Sequence, residues 1–113
     1  MIEVNEYVRT KKGSIDKVIN PNYYMSIYVE CEKGMYLLDN VVKHRKQLID
    51  LIEVGDIVRI RTGLYSSFME FIDNEECLLI LKEQVKKFWT IEEILTKEQY
   101  LANCYKVGGK QWD

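Results

Sequence analysis

His44 is the only histidine in the chain, and Cys31, Cys77 and Cys104 are its three cysteines. One imidazole and three scattered thiols supply neither a His-x-x-x-His pair nor a Cys-x-x-Cys clamp, so the sequence predicts no metal centre. A Cys–His nucleophile pair is formally available. Its cysteines, however, fall in or near apolar stretches that read as strand, where burial disfavours the thiolate. Glu75-Glu76 and Glu92-Glu93 offer carboxylates for acid–base work, yet sequence neighbours on a strand point apart, and the first pair reads as a solvated turn. Gly108-Gly109 lacks the Lys-Ser/Thr of a phosphate loop. The expectation is therefore a protein without catalytic residues or cofactor, whose chemistry is binding.

Two groups of side chains suit binding. Lys43-His44-Arg45-Lys46 is a basic run at the expected start of a helix, where like charge is unfavourable to the helix dipole. Such a cost invites a role in contacting phosphate or an acidic partner, and Arg59 with Arg61, on one pleat face, could extend the run. The second group is aromatic. Tyr24 and Tyr28 fall on the non-core side of an alternating strand, where tyrosines can anchor a protein interface or stack on bases. A second layer made by the other half of the chain would instead cover them.

These residues need elements to hold them. The chain has 113 residues, 47% hydrophobic and 30% charged, with sixteen Lys+Arg against eighteen Asp+Glu. That is one domain with enough apolar residues for a core, and its near-neutral balance excludes a strongly basic nucleic-acid clamp or an acidic mimic. The opening Met1-Ile2-Glu3-Val4-Asn5-Glu6 has no signal-peptide pattern and no stretch is long and apolar enough for a membrane span, so an intracellular protein is expected. An odd number of isolated cysteines argues against a disulfide framework.

An internal echo organises the chain. Ile2-Glu3-Val4-Asn5-Glu6-Tyr7-Val8-Arg9 returns fifty residues later as Ile52-Glu53-Val54-Gly55-Asp56-Ile57-Val58-Arg59, and Gly13 falls on Gly63. Asn5 and Gly55 accept a left-handed backbone, so each copy predicts a tight bend feeding a strand with valines inward and arginines outward. Further strands are expected at 14–19, 24–31, 35–38, 66–72, 77–82, 88–95 and 103–107, with short helices at 45–52 and 96–102. Residues 77–88 also fit a helical stripe, and strand is preferred because five apolar residues run consecutively. The fold class is mainly β (α+β): a small SH3-like barrel or two packed half-barrels with one or two short helices, built of related units at about 1–40 and 52–107. A strand such as 23–31 lying at an edge could pair with its copy in a homodimer.

Tyr7-Val8-Arg9-Thr10-Lys11 with Gly13, Ile15 and Lys17-Val18, then Val42-Lys43-His44 leading to Ile49-Asp50-Leu51-Ile52-Glu53-Val54-Gly55-Asp56, then Thr96-Lys97-Glu98-Gln99-Tyr100, resembles a group of small phage and prophage proteins of low-GC Gram-positive bacteria. The resemblance implies a phage-encoded accessory protein in the host cytoplasm that binds and obstructs a host protein, plausibly a component of anti-phage defence. It carries over no active-site residue. A small nucleic-acid- or nucleotide-binding β-barrel is the alternative.

Overall fold

The computed structural model describes residues 1–63 and 66–102. The fold is α+β, with two open antiparallel sheets. The first has the order β4-β3-β2-β1-β5, from β1 (Tyr7–Thr10), β2 (Ile15–Asn22), β3 (Tyr28–Cys31), β4 (Met35–Leu37) and β5 (Val41–Arg45). The second has the order β7-β6-β8, from β6 (Ile57–Arg61), β7 (Ser67–Phe71) and β8 (Thr90–Leu95). An irregular single turn, α1 (Tyr23–Ser26), joins β2 to β3; α2 (Glu75–Lys87) joins β7 to β8, and α3 (Lys97–Ala102) follows β8.

Hydrogen bonds repeat along with the sequence. Asn5 and Gly55 both have positive φ, at 73° and 101°. The Asn5 N–H donates to Val18 O at 2.9 Å, as Gly55 does to Ile72 O at 2.7 Å; Val18 donates to Glu6 O and Ile72 to Asp56 O. The ladder between β1 and β5 shifts at Arg9/Thr10, and that between β6 and β8 shifts fifty residues on, at Arg59/Ile60. Arg9 faces Lys43 where Arg59 faces Glu93. The first unit therefore takes in β5, past the residue-40 boundary drawn from sequence, and residues 103–107 lie outside the described residues.

Each unit has its own apolar core. Val8, Val18, Val29 and Cys31 fill the first, with Ile2, Tyr36 and Val41 at its margin. The second is larger: Val58, Ile60 and Ile72 pack under Leu78 and Leu81 of α2 and under Ile49 and Ile52.

Several expectations are corrected. Among the described residues the sheets stay open and no closed barrel forms. Residues 77–82 belong to α2, because Asn74 Oδ1 accepts the Cys77 N–H at 2.9 Å and caps the helix, and the stripe Leu78, Leu81, Val85 faces the core while Leu79 and Ile80 are exposed. The helix expected at 45–52 is only a 3-10 turn, Leu48–Leu51, because Val41–Arg45 is drawn into pairing with β1 and too few residues remain to nucleate a helix. The strand expected at 24–31 begins only at Tyr28. It lies between β2 and β4 rather than at an edge, and Met25 and Ile27, assigned to the core by alternation, are exposed. Arg9, expected to point outward, is 1% exposed.

Candidate interaction surfaces

Arg9 is the joint between the units. Its guanidinium forks onto Asp56, Nη1 donating to Oδ2 at 2.6 Å and Nη2 to Oδ1 at 3.0 Å. It also donates to Leu51 O at 3.0 Å and Glu98 Oε1 at 2.7 Å, with Glu53 3.7 Å from Nε. Burial works against the charge, but hydrogen bonding to Asp56 and the surrounding carboxylates outweigh it and raise the arginine pKa above its ordinary value. Asp56 is saturated: Oδ1 also accepts the Lys97 N–H that opens α3, and Oδ2 accepts the Glu53 N–H. Thr96 Oγ1 donates to Gly13 O at 2.8 Å, and a Cβ at Gly13 would collide with that hydroxyl. Close approach fixes glycine there.

The outer face of β3 and β4 is open. Tyr28 lies opposite Leu37 and Glu30 opposite Met35, so these four share a face, and the Tyr24 ring meets Tyr28 edge-on with centroids 6.2 Å apart. Met25, Ile27 and Leu38 continue the apolar surface at the tip, where Leu38 N–H donates to Ile27 O at 2.8 Å. Met25 is 87% exposed. The tip is built on strained backbone: Tyr24, Met25 and Ser26 have φ of 52°, 58° and 64°, a left-handed region that costs an L-residue about 1–2 kcal/mol. Exposed apolar area held on strained backbone costs stability and improves no core packing.

The basic residues are dispersed by the fold. Lys43, His44 and Arg45 alternate along β5, and Lys46 follows it. His44 Nδ1 is 2.8 Å from Glu6 Oε1 and so belongs to the first unit's bend. Burial opposes the Glu6 charge, but hydrogen bonds from His44 and the Glu3 N–H hold its carboxyl below the usual range. Arg59 and Arg61 lie on the other sheet, paired with Glu93 at 3.1 Å and Glu92 at 3.8 Å. An open cleft of about 280 Å³ separates Tyr7 and Lys17 of the first sheet from Glu92 and Glu93 of the second. Lys17 Nζ sits 5.8 Å from the Tyr7 ring centroid. Its first-sheet wall carries both signs, Lys17 and Lys33 beside Asp16 and Glu32, and the facing wall carries Glu92 and Glu93.

Cys31 lies in the first core, where burial and the neighbouring charges of Asp16 and Glu30 push its thiol up to about 12; Cys77 is half-buried in α2. Cys104 lies outside the described residues. Among the described residues no group of three His, Cys, Asp or Glu is placed to hold a metal ion. Also among them, no helix is long and apolar enough to cross a membrane.

Met25, Met35, Leu37 and Leu38 are the surface residues that sequence reasoning missed. Alternation placed Met25 inward, and only Asn20-Pro21-Asn22 before it signalled a break in the strand. The Arg9–Asp56 lock was legible in principle, since both residues stand in the echoed segments. In comparisons with known proteins, no family model, no curated protein and no solved structure matches this chain.

Proposed function

We propose that this is a non-enzymatic, phage-encoded accessory protein of the host cytoplasm that binds and obstructs a host protein, a component of anti-phage defence being the favoured class of target. The observation that carries the binding part is the exposed apolar face of β3, β4 and α1, with Tyr24, Tyr28 and Leu37 at its centre. Aromatic and aliphatic anchors of this kind bury well against a protein groove. The phage and defence parts rest on the sequence resemblance. At the level of fold, the three-stranded sheet β7-β6-β8 and its counterpart β2-β1-β5 within the five-stranded sheet are each proposed to be an opened half of an SH3-like barrel.

Nucleic-acid binding is the second reading, favoured by Lys43, Arg45 and Lys46, which have no carboxylate partner among the described residues. Against it, Arg59 and Arg61 are already neutralised and Glu92 and Glu93 line the cleft.

The test compares wild type, Met25→Asp/Leu37→Asp and Arg45→Glu/Lys46→Glu as affinity baits in host lysate, with circular dichroism to verify folding. A stoichiometric protein partner retained by wild type and by the basic-run variant, but lost from the apolar-face variant, is the expected result. Salt-sensitive, nuclease-sensitive retention that the basic-run variant abolishes would transfer the function to nucleic acid.

A further inference from the structure

The two sheets end in four edge strands, β4 and β5 of the first and β7 and β8 of the second. An edge strand shows a row of unpaired N–H and C=O groups, and proteins blunt such edges by shortening them, bulging them or loading them with charge. Three of the four are blunted in these ways. β4 has three residues. β5 carries Lys43 and Arg45 and slips against β1 at Arg9/Thr10, which leaves Val42 as the extra residue of a bulge. β8 carries Glu92 and Glu93, and its slip against β6 leaves Glu92 as the extra residue. β7 differs: its five residues, Ser67-Phe68-Met69-Glu70-Phe71, pair with β6 in unbroken register, and all but Glu70 are exposed. It has no lysine, arginine or proline, and its single charge, Glu70, is on the face shared with the buried Val58.

The ladder fixes which groups of β7 point outward. Thr62 N–H donates to Ser66 O and Ile72 N–H to Asp56 O, so the hydrogen-bonded pairs alternate through Ile60/Phe68 and Val58/Glu70. Ser67, Met69 and Phe71 therefore direct their N–H and C=O away from β6, and among the described residues nothing pairs with them there. The first unit shows what such an edge takes. Val18 and Ile72 bond their bends in the same way, which makes β2 the counterpart of β7. β3 lies antiparallel along the outer edge of β2, and Glu32 N–H donates to Lys17 O, the counterpart of Phe71 O. Among the described residues the second unit has no such strand.

We infer that a second copy of the chain supplies it: two molecules join β7 to β7, antiparallel about a two-fold axis at Met69, in one continuous sheet. A second copy fits because the strand is self-complementary. The outward residues are symmetric about Met69, so Met69 faces Met69 and Ser67 faces Phe71 of the other copy, each pair exchanging both N–H···O bonds. In that register Glu70 falls opposite Phe68 of the other copy, and no like charges meet. Met69 and Phe71, 57% and 51% exposed, become the middle of an apolar band continued by Ile57 and Leu95, which align with Phe71 across the sheet. Pairing of this kind is isologous and closes at the dimer. It uses a different sheet from the β3–β4 face proposed to meet a host protein, so either proposal can fail alone.

Sedimentation velocity on the full chain, from low to high micromolar concentration, tests it, with circular dichroism to verify folding. Wild type is expected to form a dimer and nothing larger. Met69→Pro deletes an outward N–H without removing a bond to β6, and Met69→Lys sets like charges face to face on the axis. Each is expected to associate at least about tenfold more weakly. A mixture of Met69→Lys with Met69→Glu is expected to recover association, because opposite charges then meet at the axis. That mixture keeps the test decisive if the proline variant does not fold. Wild type remaining monomeric, wild type growing beyond a dimer, Met69→Lys associating as wild type does, or a mixture no better than its components would each overturn the inference. Loss of association in Leu37→Asp would overturn it too, by moving the contact to the β3–β4 face.

Discussion

Arg9 and Arg59 are the same residue in the same local frame with opposite fates, and the difference is what each finds beyond its strand. Arg9 meets Asp56, Glu98 and the Leu51 carbonyl in four hydrogen bonds, with Glu53 3.7 Å from Nε, and these acceptors offset the cost of burying its charge. Arg59 meets one exposed glutamate. Removing one partner of a buried ion pair leaves the other charge stranded, so Arg9→Met is expected to destabilise the fold by about 3–5 kcal/mol. Arg59→Met, which removes only an exposed pair with Glu93, is expected to change stability by no more than about 1 kcal/mol. Urea titration of both variants checks the contrast; equal losses would mean that the joint contributes no more than a surface pair.

At the scale of elements, α1 is where local preference and fold disagree. Three consecutive non-glycine residues hold left-handed φ with none of them buried. Met25→Gly should therefore relieve strain, offset in part by the greater freedom of glycine in the unfolded chain, for a net gain of about 0.5–1 kcal/mol by thermal or urea denaturation. A loss of stability would show that the Met25 side chain packs in a way its exposure denies. The same turn explains how far the sequence could be read. Strands that pair through local hairpins, β1 with β2 and β6 with β7, follow from alternation, Gly13 and the positive-φ bends, all of which act within a few residues. Alternation from Met25 to Cys31 looked equally clear, but its first residues have no neighbouring strand to pair with and nothing to cover them. In 77–82 a consecutive apolar run resembled a buried strand; the cap at Asn74 and a partly open helix face decided for α2. Of the binding residues, Tyr24 and Tyr28 are brought together, while the basic residues are split between two sheets, because strand assignment alone does not tell which sheet a strand enters.

Across the whole molecule, two modest cores are joined by polar groups rather than by a continuous apolar interior, so ionisation bears directly on folding. Glu6 is the clearest case. Its folded pKa is depressed below the ordinary 4.5: burial opposes ionisation, and the hydrogen bonds from His44 and the Glu3 N–H outweigh it. A carboxylate of lower pKa in the folded state binds fewer protons there than in the unfolded chain. Its contribution is therefore complete above about pH 4.5 and disappears as pH falls through the lower folded value. Other carboxylates contribute to acid sensitivity as well, so the informative measurement is a difference. Urea unfolding of wild type and Glu6→Gln from pH 7 to pH 3 should show wild type more stable at neutral pH and the gap narrowing below pH 4.5, with glutamine preserving the acceptor for the Glu3 N–H. A gap independent of pH would assign the role of Glu6 to shape and neutral hydrogen bonding instead of charge.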